Sequence, residues 1–368
     1  MPGEETAVQD ERDDGRELRL LQELLRTYGP CGQEDAVREV CLRELADLAD
    51  EVRTDRAGNV VALLRGRGED AGAPVVRVMA HLDELSMIVK RVEEDGSLHV
   101  TQLGVMNPGN FGLGPVAVLG DEEEVVGVLS LGSEHTTRES PRIWETKPEG
   151  GDRALDWDHV NVFTGRTPQE LAAAGVHPGT RVCVHAGKRG LLEFGDHLGG
   201  YFLDDRAALV VVLAAARLLR EQGRRPAADA YLVLTTSEEL GGVGGSWAAG
   251  QLPGDVALAV EVGPAEAEYG TRVDANPIVG YHDAAGVYDK PLADHLVRLG
   301  RGLGLSPAPA VFDAFESDAS QSKAKGRCAQ AGLLCLPTLS THGYEVVHRG
   351  AIGNCARLLA EYLVRPVG

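Results

Sequence analysis

Cysteine is scarce in this chain and poorly placed for a scaffold. The six that occur, Cys31, Cys41, Cys183, Cys328, Cys335 and Cys355, are scattered over 368 residues and make no CxxC pair. That spacing argues against a disulfide framework and for free thiols in a reducing compartment. Aromatic residues are only 5% of the chain, too few for evident sugar-stacking platforms. Basic residues are outnumbered, 36 against 56 acidic, for a net charge of −20. A phosphate-backbone partner calls for a basic patch, so no nucleic acid is expected. No apolar run is long enough to span a membrane. The acidic opening "MPGEETAVQDERDDGREL" lacks the apolar stretch of a signal peptide. The chain reads as cytoplasmic with no membrane partner, and residues 1–16 read as a disordered tail.

What is present has two textures. Hydrophobic residues at 43% supply a full core, and the length suits one large or two ordinary domains. The spacing of Leu18, Leu20, Leu21, Leu24 and Leu25 predicts a helix over 17–27, and Val37, Val40, Leu42 and Leu45 predict another over 34–47. "NVVALLRG" and "VVRVMAH" read as strands. Over 85–194, short alternating segments such as "MIVKRV", "PVAVLG", "VVGVLSLG" and "RVCVHAG" lie between turn residues and predict a small β-barrel unit. A long polar loop at 133–160 interrupts it, and Thr167 and Glu170 carry a capping-box spacing. Beyond 195, strands and helices alternate again. The expected fold is α/β, a mostly parallel sheet sandwiched by helices over 17–84 and 195–368, split by the β-rich insert at 85–194.

In open α/β sheets, ligands gather at the carboxyl ends of strands. His81, Asp83 and Glu84 follow "VVRVMA"; Glu238 and Glu239 follow "YLVLTTS". Glu261 ends "VALAV", His342 follows "LLCLPTLST", and Asp204 and Asp205 open a strongly apolar helix. Two imidazoles with several carboxylates suit zinc, with cobalt or manganese in a similar site. The surplus of carboxylates over one closed tetrahedron points to two divalent ions sharing a bridging ligand. Strand alternation puts Asp83 beside His81, where it can accept the second ring proton. Glu84 reads as facing solvent, Asp205 as a helix-start acid or supporting group, and Asp318 as a helix cap. "GGVGG" lacks the Lys-Ser/Thr of a phosphate loop, and no local motif makes Cys31 a nucleophile.

The motifs "AHLDE", "FLDDRAA", "SEELGGVG", "AVEVGP", "ESDAS" and "STHGYEV" stand in an order and spacing that resembles the tetrahedral (TET) aminopeptidases, dinuclear-zinc exopeptidases related to glutamyl aminopeptidase. The likeness runs from "GPCGQED" to the C-terminal helix. It implies that His81 and Glu261 hold one ion, Glu239 and His342 the other, and that Asp204 bridges them. It implies Glu238 as the general base and Asp83 as the acid that orients His81. It also implies a PDZ-like dimerisation domain at 85–194, a homodimer or homododecamer, and a peptide substrate. Three other readings stand beside the aminopeptidase: a deacylase or amidase on a small acylated or capped peptide, a glycosidase using paired carboxylates, and a metal-stabilised scaffold without catalysis. The two histidines have no role in the glycosidase, and Glu238 has none in the scaffold.

Overall fold

The computed structural model describes residues 15–68, 72–254 and 256–368. The expected tail therefore lies outside the described residues except for Gly15 and Arg16, which begin a helix over 15–26. That helix buries Leu20, Leu21, Leu24 and Leu25, the stripe its spacing predicts. The next helix, Asp35–Leu45, buries Val37, Val40, Cys41 and Leu45.

A 12-stranded sheet organises the larger part of the chain. Its centre is a run of parallel strands in the order β12 (Ala230–Thr235), β3 (Val76–His81), β13 (Val256–Pro264) and β17 (Gln330–Leu339). They are buried almost throughout, as strands covered on both faces must be. Toward the flanks the pairing is antiparallel. β2 (Val60–Leu64) and β1 (Glu51–Thr54) lie beyond β12; β18 (Tyr344–His348), β11 (His197–Tyr201) and β10 (Leu192–Phe194) lie beyond β17. β14 (Ile278–Asp283) pairs antiparallel with β17 and carries β15 (Gly286–Val287) and β16 (Ala308–Val311), which complete the twelve. The sheet is thus mixed. The reason is visible in the connections: residues 340–343 join β17 to β18 and are too few for a parallel crossover.

The helix Leu203–Glu221 packs on β13 and β3, and on the terminal helix Arg349–Val364. Enclosed between sheet and helix, its Leu209–Leu213 run is buried all round. Its first residues therefore arrive at the sheet edge in a fixed place.

The second unit is a closed antiparallel barrel. Its circuit is β4 (Ser86–Val92), β5 (Leu98–Leu103), β8 (Asn161–Phe163), β7 (Glu124–Ser130), β6 (Gly114–Leu119) and β9 (Arg181–Val184), with β9 returning to β4. Closure leaves no open edge. β7 shows the alternation clearly, with Val125 and Leu129 inside and Val126 and Val128 outside. The polar stretch 133–160 packs onto the barrel: Trp157 is buried and donates Nε1–H to the Met106 carbonyl at 3.0 Å. His159 completes a capping box with Asp156, a structural place, and Thr167 and Glu170 form theirs as the spacing predicts.

Candidate metal centre

The carboxyl ends of the four central strands meet at one edge, and the chain places a polar group at each. His81 is the last residue of β3. The β3–β13 ladder ends at Met79–Ala259; two residues further along each strand stand His81 and Glu261, on one face. After β12, Ser237 turns into the left-handed region (φ 52°) and opens the short helical turn that carries Glu238 and Glu239. After β17, Ser340 (φ 57°) and His342 (φ 62°) do the same. Phe202 (φ 66°) precedes Asp204. Side-chain-bearing residues rarely adopt this backbone, and its recurrence at the corners of one site marks a geometry that the surroundings impose.

Two donor groups result, one of His81, Asp204, Asp205 and Glu261, the other of Asp204, Glu239 and His342. Within each, a ligand atom from every residue lies within 4.8 Å of the others. Asp204 belongs to both. His81 Nε2 stands 3.0 Å from Asp204 Oδ1 and 3.9 Å from Glu261 Oε2. His342 Nε2 stands 3.5 Å from Asp204 Oδ2 and 3.9 Å from Glu239 Oε2. Both imidazoles turn their other nitrogen away from the centre. Nδ1 of His81 is 3.1 Å from the Asp83 carbonyl and 3.5 Å from its Oδ1. Nδ1 of His342 is 2.5 Å from the Val105 carbonyl. Asp83 has further work: its two oxygens accept the backbone N–H groups of Glu238 (2.9 Å) and Glu239 (3.1 Å).

The electrostatics are those of a site short of positive charge. Burial alone would lower the pKa of His81, but the charges of Asp205 and Glu261 outweigh it and hold the ring well above its ordinary range. His342 is raised likewise, burial being outweighed chiefly by Glu239 and Asp204. Burial pushes Glu238 and Glu261 well up and Glu239 up to about 7. Asp204 goes the other way: burial would raise it, but the two imidazoles hold it below the usual carboxylate range. Asp205 Oδ1 and Glu239 Oε1 are buried with no hydrogen-bond partner among the described residues. Buried, unpaired carboxylate oxygens are costly unless a cation meets them. Imidazole nitrogen and carboxylate oxygen in this number suit zinc, cobalt or manganese, so the residues fit a metal.

Two site expectations are corrected, at Glu84 and at Asp318, whose helix is capped by Ser317 instead. Glu84 does not face solvent; it is fully buried, and its Oε2 accepts from both Arg189 and Arg206, the latter at 2.7 Å. Those arginines come from far along the chain, so the strand alone gave no sign of them. Asp205 supports the centre as well as opening the helix, accepting the His81 backbone N–H at 2.9 Å, and its own side chain belongs to the first donor group. Asp318 sits just inside its helix, capped by Ser317, and accepts from the Thr235 hydroxyl beneath the site. Burial raises it to about 6. Cys31 is buried, and burial pushes its thiol far up, the opposite of an activated nucleophile. Glu345 escaped the sequence reading. It accepts the backbone N–H of Asp204 at 2.9 Å and of His342 at 3.1 Å, joining two distant segments. Its only local sign is its position three residues after His342.

A cavity of about 780 Å³ opens over the centre. Its walls include apolar Val262, Tyr269 and Phe315 and, further out, Glu266, Glu268 and Glu316, with no lysine or arginine among the described residues that line it.

Comparison with known proteins identifies the family and the fold. The family model described as M42 glutamyl aminopeptidase matches residues 58–358. A lysyl aminopeptidase of Pyrococcus furiosus is 30% identical over 246 residues, a match spanning 66% of this chain and 65% of that one. Among solved structures, a TET aminopeptidase from a marine-sediment Thaumarchaeota archaeon superimposes with a TM-score of 0.86 at 21% identity, covering 96% of this chain and 97% of that one. A Pyrococcus horikoshii TET peptidase, described as assembling into a tetrahedron or a large octahedral shell, gives 0.81 at 20% identity, with 95% and 99% covered.

Proposed function

Because the chain belongs to the M42 glutamyl aminopeptidase family, we propose that it is a metallo-aminopeptidase removing N-terminal residues from peptides, with two divalent cations at this centre. The carrying observation is that one carboxylate, Asp204, belongs to both donor groups. We assign His81 and Glu261 to one cation, Glu239 and His342 to the other, and Asp204 to both, zinc being the first candidate and cobalt or manganese the alternatives. Two such cations would lower the pKa of a shared water and polarise the scissile carbonyl.

The chain's own residues supply the rest. Glu238 lines the cavity beside the donors, and burial raises its pKa well above the ordinary range. A carboxylate in that place can take a proton from the water and return it to the departing amine. Asp83 anchors the backbone of the Glu238–Glu239 turn and so holds the base in position. The apolar wall and acidic rim of the cavity suit an N-terminal residue with an aliphatic stem and a cationic end, because such side chains bury the stem and leave the charge at a polar margin. The lysyl aminopeptidase among the relatives supports this preference. Six unpaired thiols support a reducing, cytoplasmic compartment. The shell-forming relative supports a homo-oligomer, for which the barrel insert at 85–194 is our candidate dimerisation domain.

A panel of chromogenic substrates tests the reading. Free-amine lysyl and leucyl substrates should be cleaved in a chelator-sensitive reaction, and their N-acetylated counterparts should not. Preferential cleavage of the N-acetylated compounds would favour the deacylase or amidase instead.

A further inference from the structure

We infer that the barrel forms part of one cation site and not of the other: its segment 104–110 positions His342, with Asn110 as the positioning residue. This rests on the two-cation reading above.

His342 sits on the four-residue link between β17 and β18. From its own part of the chain, its backbone N–H is held by Glu345. The contact that sets its ring comes from the barrel. A carbonyl can only accept, so the Val105 carbonyl 2.5 Å from Nδ1 keeps the ring proton there. That leaves the Nε2 lone pair facing Asp204 and Glu239. Asn110 Nδ2 donates to the carbonyls of both Thr341 and His342, each at 3.3 Å. Gly343 lets the link lie against this segment: a Cβ there would stand 2.9 Å from the Asn110 carbonyl oxygen and 3.0 Å from its side-chain amide.

The other donor of the same cation meets the segment too. A Cβ on Gly104 would run into Leu85 and stand 3.3 Å from Glu239 Cβ and Oε2. By contrast, no hydrogen bond joins His81 or Glu261 to the barrel among the described residues; the partners of His81 are Asp83, Asp204 and Asp205. The two sites therefore differ in what holds them. One is built within the α/β sheet, and the other leans on an insert whose seating can change its affinity.

Calorimetric titration of the metal-stripped full chain with zinc tests this, using Asn110→Ala, Asn110→Asp and His342→Ala. Asn110 is exposed, and the melting temperature of each metal-free variant checks that folding is intact. Asn110→Ala should weaken one of two binding events by about tenfold, the lower end for losing an outer hydrogen-bond partner, and spare the other. Asn110→Asp should weaken the same event more, because a carboxylate would face two carbonyls. In the His342→Ala background, where that event is already lost, Asn110→Ala should add nothing. Unchanged binding in both Asn110 variants, or weakening that persists undiminished in the His342→Ala background, overturns the inference. If His342→Ala itself leaves both events intact, the cation reading fails and the inference falls with it.

Discussion

Nε2 of His81 and Oδ1 of Asp204 lie 3.0 Å apart at the junction of a strand end and a helix start. The second oxygen of the same aspartate faces His342 at 3.5 Å. If Asp204 serves both cations, Asp204→Asn should weaken both binding events, whereas Glu261→Gln should weaken one. Metal content after dialysis, measured per chain, separates these outcomes. Activity should fall in both variants by at least about a hundredfold, the upper end for losing even an outer partner of a metal ligand.

Cation binding should expel protons. Without a cation, His81 and His342 are held well above their ordinary pKa and Glu239 near 7. A ligand must be a neutral imidazole or an ionised carboxylate, so protons and cations compete for the same atoms. Affinity should therefore rise between about pH 6 and about pH 8, with proton release visible by calorimetry in buffers of different ionisation heat. Equal affinity across that range would contradict the assignment. Stripping the metal should also lower the melting temperature, since a ligand at about 100 times its Kd stabilises the folded state by ~2.7 kcal/mol.

The acidic rim should govern substrate charge. Replacing Glu266, Glu268 and Glu316 together by Gln should raise KM for a lysyl substrate and leave a leucyl substrate nearly unchanged. Added salt should narrow the difference in the parent protein, because exposed charges are screened. A parallel rise in both KM values would place the specificity elsewhere.

Glu84 should matter to stability. Glu84→Gln leaves the buried Arg189 and Arg206 without their shared carboxylate. Breaking such a buried set costs ~3–5 kcal/mol, readable as a lower urea midpoint. Arg206 also donates to the Leu82 carbonyl, one residue past His81, so weaker metal binding should accompany the loss.

The ends of the central strands were legible in the sequence because apolar runs stop there at polar residues. Periodicity locates His81 and Glu261, and the open-sheet rule brings Glu239, Asp204 and His342 to the same edge. The barrel was legible as alternation broken by turns. What periodicity does not carry is contact between segments distant in the chain. Glu84 meets its two arginines, Glu345 ties Asp204 to His342, and Val105 reaches the second imidazole only after folding. The mixed pairing of the sheet was also hidden, although the short link that carries His342 holds its signature.

Glu238→Gln, assayed for bound metal and for turnover on the same preparation, tests the proposed chemistry most directly. The exchange keeps the shape of the side chain and removes its capacity as a base. The prediction is two cations per chain, an unchanged melting temperature, and hydrolysis of a free-amine substrate reduced by about 10²–10⁴-fold. Full metal content with turnover intact would contradict it.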